Sequence, residues 1–376
     1  MIKKLSGAAA ALTLVVTMAM QPAQAQDKRV VKIGVIGILA EAGLYVAAER
    51  GFFNQEGLQV EFLKDMYGPD GFPALATGQM DAMGGAFGPE LINAVQRGIN
   101  VKVVAGAIDN TAAAIGAGAV EDYVPHLYVG TSSWIAAHVP FKKTDLTSSL
   151  ASIPCAVPGR YLLTALQATA GGNLTFLRDN IIYHKDELLQ EADVPDIFKV
   201  LDQIADRVPA GANGVMYTPW IWGERAPVED RTLRAGLYNL SLHNTREDII
   251  RAFLEGIAFN TRWLLAPVEK FLARPVDTIH IVGGGAQSDV WCQIFADVMN
   301  LEIKQVTDPI YANARGAAWI AAVGVGEIQF GDIPRLVQFK QTYTPRSQNR
   351  LLYDEKFRIF QQIYRQMKGV YRRLNT

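Results

Sequence analysis

Apolar residues recur along the chain at two different spacings, and the change from one to the other marks the predicted elements. The clearest example is residues 278–299, TIHIVGGGAQSDVWCQIFADVM. Ile279 and Ile281 alternate with polar neighbours, three glycines follow, and apolar residues return at helical spacing from Val290. The pattern predicts a strand, a tight glycine turn and a helix.

This glycine turn has two interpretations. Glycine has no Cβ, so another molecule can approach its backbone closely, and the start of the next helix offers free N–H groups to an anion. A glycine turn between a strand and a helix is also ordinary α/β architecture. The local sequence leaves both interpretations open.

Strands and helices alternate in the first third of the chain. We predict strands at 30–36, 58–63, 80–83 and 101–106, and helices at 41–50, 71–77 and 89–97. Such alternation favours a parallel sheet, in which ligands bind at the carboxyl ends of the strands.

Residues 1–25 have the composition of a secretory signal peptide. Lys3 and Lys4 precede a short apolar run, and Ala23-Gln24-Ala25 follows it. A membrane anchor is the alternative, but the apolar run is too short to span a bilayer comfortably. We therefore predict cleavage after Ala25 and a periplasmic or secreted protein.

Composition narrows the classes of function. The chain has 376 residues, 49% of them apolar, and a net charge of -1, which suits two or three globular domains and argues against nucleic acid as a partner. Cys155 and Cys292 lie far apart and are interpreted as buried thiols. The five histidines have no zinc-ligand spacing, so no metal held by histidine is expected.

Chemistry-bearing residues appear after residue 106. Asp109 and Asn110 precede an alanine-rich helix, and HLYVGTSSWIAAHV at 126–139 is a strand hairpin interrupted by Gly130 and Thr131. A helix N-cap explains Asp109 as well as a catalytic role does, and Gly-Thr-Ser-Ser is also explained as a simple turn.

The segments GLYVAAERGFFNQEGLQVEF and ALATGQMDAMGGAFGPELINAVQRGINVKVVAG resemble the first lobe of periplasmic substrate-binding proteins for nitrate, sulfonate and taurine-type ABC transporters. The resemblance covers residues 30–106. It implies a small-anion ligand beside 39–40 and 84–87, and a transporter permease as partner.

Six further segments, in fixed order, resemble the carboxy-terminal half of the FGGY carbohydrate kinases, nearest the xylulokinase branch. They are the hairpin above, QATAGGNLTFLRDN (167–180), GANGVMYTPWIWGERAPVEDRTLRAGLYNLSL (211–242), TREDIIRAFLEGIAFNTR (245–262), the glycine turn and ARGAAWIAAVGVG (314–326). The implied fold is one α/β, ribonuclease-H-like domain of the actin and hexokinase ATPase type. Asn239 stands where the family places glycine, which puts the local backbone in question.

The kinase resemblance also implies roles for individual residues. Asp109 would be the catalytic base and Asn110 would contact the sugar, with ATP and Mg²⁺ as cofactors. The residues implied to bind the nucleotide are Gly130, Thr131, Gly171, Thr175, Gly284, Gly285, Ala286 and Asp289.

The expected organisation is therefore a fusion. We predict a signal peptide (1–25), an incomplete binding-protein lobe (30–104), a kinase ATP-binding domain (105–335) and a helical tail (336–376), joined at VKVVAGA (101–107). The Asp-x-Gly-Thr turn of the family's amino-terminal domain does not occur in the sequence. Impaired phosphorylation of a sugar such as xylulose is the expected function, and a periplasmic binding protein or a non-functional chimera is the alternative. Kinase activity would require the cytoplasm.

Two aromatic segments have competing interpretations. Trp220 and Trp222 beside Glu224 and Arg225 are either a sugar-stacking platform or a buried aromatic anchor with a Glu–Arg pair, and we favour the anchor. The tail helix at 354–373 carries aromatic and basic residues, and packing on the domain is favoured over a membrane surface.

Overall fold

The computed structural model describes residues 29–35, 42–66, 68–84, 93, 96–97, 108–182 and 197–375. The chain divides into two compact units, Met1–Lys102 and Val103–Thr376. The predicted signal peptide and the predicted join at 101–107 lie outside the described residues, as do 39–40 and 85–87.

The first unit contains a small parallel sheet. Its strands are β1 (Arg29–Val35), β2 (Leu58–Lys64) and β3 (Ala82–Met83), in the order β2-β1-β3, and its helices are α1 (Ala42–Glu49), α2 (Phe52–Gln55) and α3 (Gly68–Ala76). The first three predicted strands and first two predicted helices are confirmed within a few residues. Most of the predicted helix at 89–97 and all of the strand at 101–106 lie outside the described residues.

The second unit is built on an eight-stranded mixed sheet, in the order β13-β12-β11-β4-β5-β8-β7-β6. The strands of this unit, including the separate ribbon of β9 and β10, are β4 (Pro125–Val129), β5 (Ser133–Val139), β6 (Thr144–Asp145), β7 (Leu150–Pro154), β8 (Tyr161–Gln167), β9 (Met216–Thr218), β10 (Gly236–Tyr238), β11 (Thr278–Val282), β12 (Glu302–Val306) and β13 (Phe339–Tyr343). Strand β11 is parallel to both β4 and β12, so these three strands end at one edge of the sheet.

Helices cover the sheet. They are α4 (Asp109–Gly116), α5 (Gly171–Leu177), α6 (Ile197–Arg207), α7 (Arg246–Leu272), α8 (Asp289–Met299), α9 (Ala312–Val325), α10 (Ile333–Leu336) and α11 (Arg350–Asn375). The apolar face of α7 is buried, as its helical spacing predicts. The N–H of Thr245 donates to the Asp248 carboxylate at 2.8 Å and so starts α7.

The tail helix α11 packs on the domain, which confirms the favoured interpretation. Tyr353, Phe360 and Tyr371 are buried on one side, while Arg372 and Arg373 at its end are exposed. The ring of Phe360 lies 5.2 Å from that of Trp220. In the described part of the chain, no helix is both long and apolar enough to cross a membrane.

Three local predictions can be compared with the structure. Asn239 has a φ of 63°, a left-handed backbone that asparagine tolerates better than most residues, so it can replace the family's glycine. Both cysteines are free, but Cys155 is only half-buried, unlike the prediction. Within the described ranges, no group of three or more His, Cys, Asp or Glu side chains could hold a metal ion.

Candidate functional site

The turn between β4 and β5 contacts the first residues of α5. The carbonyl oxygen of Gly130 accepts the N–H of Gly171 at 2.8 Å, and that of Thr131 accepts the N–H groups of Ala170 and Gly172 at 2.8 and 3.0 Å. A Cβ at Gly171 would lie 2.6 Å from the Gly130 carbonyl oxygen. Only glycine permits this approach, and the structure brings Gly130, Thr131 and Gly171 together.

These contacts change which N–H groups can face a ligand. The amides of Gly171 and Gly172 already donate to the hairpin, so they are not free for an anion. Thr131 is exposed, and its N–H and hydroxyl have no partner among the described residues. Thr175 is also exposed one turn further on, with its hydroxyl 3.5 Å from the Gly171 carbonyl. Thr131 is therefore an exposed and available donor of the turn.

Asp109 is exposed in the first turn of α4, and Ile108 occupies the N-cap position. The N-cap interpretation of Asp109 is therefore wrong by one residue. Burial, and secondarily the charge of Asp109, raise the pKa of Tyr128. A Cβ at Gly130 would lie 2.6 Å from the Tyr128 ring, so the tyrosine that lies against the hairpin also experiences the charge of Asp109.

Asn110 has a polar group directed to a buried position. Its Nδ2 is buried and has no hydrogen-bond partner. The hydroxyl oxygen of the neighbouring Thr111 is also buried and unpaired. Buried donors are almost always paired, so the unpaired amide of Asn110, beside Asp109, is an exception among the described residues.

The glycine turn that follows β11 lies beside the end of β4. Gly283 has a φ of 95°, and a Cβ there would be 2.6 Å from the Val129 carbonyl oxygen. Gly284 is exposed, with open space where a Cβ would stand, while a Cβ at Gly285 would lie 2.5 Å from Val129 Cγ1 and 2.8 Å from Trp291 Cζ3. Gly284 therefore presents bare backbone to solvent, and Gly285 is glycine because of packing.

Ala286 and Asp289 occupy different environments. The Ala286 side chain is buried, and its carbonyl oxygen accepts the Gln305 side-chain amide at 2.8 Å. Asp289 is exposed and pairs with Lys340 at 2.6 Å. Partial burial acts to raise the pKa of Asp289, but hydrogen bonds from Lys340, Gln305 and Tyr343 outweigh it and hold that pKa below its usual value.

The two tryptophans of the aromatic segment separate in the structure. Trp220 is fully buried and donates to Asn260 Oδ1 at 3.1 Å, as an anchor does, whereas Trp222 is 79% exposed. The predicted Glu–Arg pair is wrong as a side-chain ion pair. Glu224 instead accepts the backbone N–H of Arg225 at 2.8 Å.

The sequence pattern singled out Arg225 only as a partner of Glu224, and did not indicate Arg231 or Arg234. A cleft of about 730 Å³ opens beside the hairpin, with Ser132, Trp222, Arg225, Arg231 and Arg234 in its lining. The available signal was three arginines within ten residues, 225–234. Their convergence depends on how the loop folds, which spacing does not reveal.

Comparison with known proteins identifies both parts of the chain. Residues 127–325 match the model of the FGGY family of carbohydrate kinases, C-terminal domain, and residues 40–121 match the model of a family described as NMT1/THI5 like. The matches to two families confirm that the chain combines both protein types, although the NMT1/THI5-like match continues to residue 121, past the predicted join at 101–107.

Individual relatives agree with the first of these models. The xylulose kinase of Staphylococcus epidermidis is 28% identical over 272 residues, covering 72% of this chain and 52% of that protein. The gluconokinase of Bacillus licheniformis is 27% identical, covering 75% and 55%. The crystal structure of xylulose kinase from Rhodospirillum rubrum is 29% identical, covers 71% of this chain and 52% of that one, and superposes with a TM-score of 0.60.

The alignments with these relatives are long compared with the second unit. The length of the alignment with the Staphylococcus epidermidis enzyme takes it back past residue 109, but the FGGY family match itself begins at 127, and Asp109 lies within the NMT1/THI5-like match at 40–121. The chain spans about half the length of the curated relatives it matches. With the family model matching more than half of its residues, the chain belongs to the FGGY family of carbohydrate kinases through that family's C-terminal domain.

Proposed function

We propose that the unit Val103–Thr376 binds ATP with Mg²⁺ and takes part in phosphoryl transfer to a hydroxyl of a sugar such as xylulose. One observation carries the proposal. The hairpin at Gly130–Thr131, the start of α5 and the glycine turn after β11 all meet around the end of β4, where they leave exposed backbone at Thr131 and Gly284. Exposed backbone donors beside glycine turns suit phosphate groups.

The residues divide the chemistry between them. The N–H and hydroxyl of Thr131 would donate to phosphate oxygens, and Gly284 would contact the nucleoside without a side chain in the way. Asp109, exposed and near the hairpin through Tyr128, would accept the proton of the attacking hydroxyl. The unpaired Asn110 amide would contact the sugar.

The donor set also fits Mg²⁺ that arrives on the nucleotide. Mg²⁺ at nucleotide sites is usually held by phosphate oxygens, water and one or two carboxylates. The exposed N–H and hydroxyl of Thr131 suit the phosphate oxygens that carry the ion, and within the described ranges no group of three or more His, Cys, Asp or Glu side chains would hold Mg²⁺ by itself. When bound, the ion would neutralise charge on the phosphates.

The matched relatives are about twice as long as the region they share with this chain, which bears on turnover. We propose that nucleotide binding is retained while sugar phosphorylation by the chain alone is weak. Transfer to a bound sugar needs groups on both sides of the reacting atoms, and the shared region supplies one side.

Isothermal titration of Mg·ATP into the full chain tests the nucleotide site. A Cβ at Gly284 would meet no atom within 4 Å, so Gly284→Trp should fill the space over the turn and abolish binding. Gly369→Trp is the matched control, because Gly369 also lies in open space, on α11 away from every predicted site residue. Absence of Mg·ATP binding by the wild-type chain would refute the proposal.

A coupled assay with pentuloses tests the proposed base. Asp109→Asn should remove any phosphorylation while leaving the affinity for Mg·ATP within about twofold, since the substitution removes a proton acceptor and keeps the shape. Equal rates for Asp109→Asn and the wild type would remove Asp109 from the mechanism.

The first unit supports a second candidate function. Its parallel sheet β2-β1-β3 and its match to the NMT1/THI5-like family favour a small-molecule binding lobe, for which we propose a nitrate- or sulfonate-type anion and an ABC transporter permease as partner. We also propose export, from the composition of residues 1–25. Thermal-shift screening with these anions tests the ligand, and absence of stabilisation would refute it. Fractionation of cells tests export, and a protein found in the cytoplasm would refute it.

A further inference from the structure

The cleft of about 730 Å³ beside the hairpin lies outside the nucleotide site proposed above. It is lined by one tryptophan, three arginines and Ser132, which follows Thr131 in the hairpin. Its volume is in the range of small-molecule sites. None of the residues proposed to bind ATP or to act as base belongs to its lining.

The arginines of the cleft carry charge that the protein itself hardly neutralises. Among the described residues, no carboxylate lies within ion-pair distance of the guanidinium of Arg225 or of Arg234. Arg231 faces Glu229 at 3.6 Å, with both side chains well exposed, and such a pair is weak. The three arginines therefore give the cleft a positively charged surface that suits an anion.

Glu224, the acidic residue of the lining, offsets this charge only in part, because it interacts electrostatically with Arg225 without forming an ion pair with it. Its Oε1 accepts the N–H groups of Ala168 and Arg225 at 2.8 Å each, and its Oε2 accepts the Asn260 amide at 2.5 Å. Burial raises the pKa of Glu224 to about 7, despite those hydrogen bonds, so the carboxyl is only partly ionised near neutral pH.

The loop that carries the arginines is held by its own hydrogen bonds. Glu224 and Asp230 exchange backbone N–H and carbonyl contacts at 2.9 Å in both directions. Arg234 Nη1 donates to the carbonyl oxygens of Arg231 and Leu233 at 2.9 and 2.7 Å. The guanidinium of Arg234 is therefore positioned before a ligand arrives, which lowers the entropy cost of binding at that residue.

Trp222 adds an apolar surface to the charged wall. Its side chain is 79% exposed although tryptophan is usually largely buried, and it lines the same cleft as the arginines. An aromatic face next to guanidinium groups matches a ligand with a ring bearing C–H groups at one end and a dianion at the other.

We propose that this cleft is a binding site for a phosphorylated sugar, with the phosphate on Arg225, Arg231 and Arg234 and the sugar ring against Trp222. A phosphate monoester carries about two negative charges near neutral pH, which the three arginines match. The cleft shares no lining residue with the positions proposed for the nucleotide and the base, so the inference concerns a site that the kinase proposal does not assign.

Isothermal titration of the full chain with fructose 6-phosphate, without nucleotide, tests the proposal. Inorganic phosphate and unphosphorylated fructose are titrated separately, and each should bind at least about tenfold more weakly than the sugar phosphate. Affinity should fall at high salt, as an exposed ionic site requires. Equal affinity for inorganic phosphate, or no binding of fructose 6-phosphate, would overturn the proposal.

Variants locate the site. Arg225→Gln should weaken binding by about tenfold or more, because it removes one charged hydrogen-bond donor to the phosphate. The fold should be little disturbed, since Arg225 is exposed and interacts with Glu224 only through its charge. Arg335→Gln, an equal change of charge at an exposed residue of α10, is the matched control. Trp222→Ala should weaken fructose 6-phosphate but not inorganic phosphate.

A final arm separates this site from the nucleotide site. Gly284→Trp should keep its affinity for fructose 6-phosphate, and Arg225→Gln should keep its affinity for Mg·ATP. Failure of the sugar phosphate to bind would leave the nucleotide proposal standing, and failure of Mg·ATP to bind would leave this one standing. Unchanged fructose 6-phosphate affinity in both Arg225→Gln and Trp222→Ala would show that the cleft is not the site.

Discussion

The hairpin region and the arginine cleft adjoin each other, yet they are built in different ways. The hairpin region is made of backbone, since Gly130, Gly171 and Gly283 allow carbonyls and amides to meet where any Cβ would collide. The cleft is made of long side chains that extend from a loop held by hydrogen bonds within itself.

Because of this difference, a substitution should affect folding and ligand binding differently in the two regions. In the hairpin region, adding one carbon displaces backbone and disturbs both the fold and the site. In the cleft, replacing one side chain removes one ligand contact and leaves the fold in place. Folding and binding should therefore be coupled in the first region and separable in the second.

The largest expected effect is on Gly171. Gly171→Ala places a Cβ 2.6 Å from the Gly130 carbonyl oxygen, and we expect the free energy of unfolding to fall by about 1–3 kcal/mol, with loss of Mg·ATP binding. Gly172→Ala is the matched control, because its Cβ would stand 3.2 Å from the Thr131 carbonyl oxygen. Denaturant unfolding measures both, and equal costs would contradict a special role for Gly171.

The next effect is a pH dependence of opposite sign in the two regions. Under the hairpin, burial lowers the pKa of His126 to about 3 and that of His280 to about 4. Below about pH 6.5 these histidines bind protons in the unfolded chain but not in the folded chain. The free energy of unfolding therefore falls by roughly 1.4 kcal/mol per histidine for each pH unit.

Glu224 in the cleft opposes this trend. Its pKa is raised to about 7, so the folded chain binds a proton between about pH 4.5 and 7 and gains stability as pH falls through that window. Glu224→Gln should make the acid loss of stability steeper. Unfolding free energies measured from pH 4.5 to 7.5 test this, and a slope unchanged by the substitution would contradict it.

The smallest effect concerns the exposed pair at the start of α8. Lys340→Gln removes the partner of Asp289, and both side chains are about half exposed, so stability should change by less than about 1 kcal/mol. The pKa of Asp289 should rise, because one of the hydrogen bonds that lower it is lost. Carboxyl chemical shifts followed by NMR would show no rise if Lys340 does not act on Asp289.

Sequence patterns predicted the backbone-built region better than the cleft. Alternation before residue 283 and helical spacing after 289 locate β11 and α8, and glycines mark the turn between them. The site residues Gly130, Thr131 and Gly171 came from the family resemblance, and the structure places them in contact.

The rest depends on contacts distant in sequence. The α5 amides at Gly171 and Gly172 are taken by hairpin carbonyls some forty residues away in the chain, which no local pattern shows. Trp222 and Trp220 are two residues apart, yet one is 79% exposed and the other fully buried, because the buried ring packs against α11. The roles of the predicted site residues remain predictions for the experiments above.

Hydrogen–deuterium exchange with and without Mg·ATP tests the central claim most directly. If the nucleotide site is assembled from backbone around the end of β4, Mg·ATP should slow amide exchange in all three segments of that site: the hairpin at 128–133, residues 171–175 and the turn at 283–288. Exchange in the arginine loop at 223–234 should be unaffected. Protection confined to the arginine loop, or no protection in any of the three segments, would contradict a nucleotide site assembled from backbone around the end of β4.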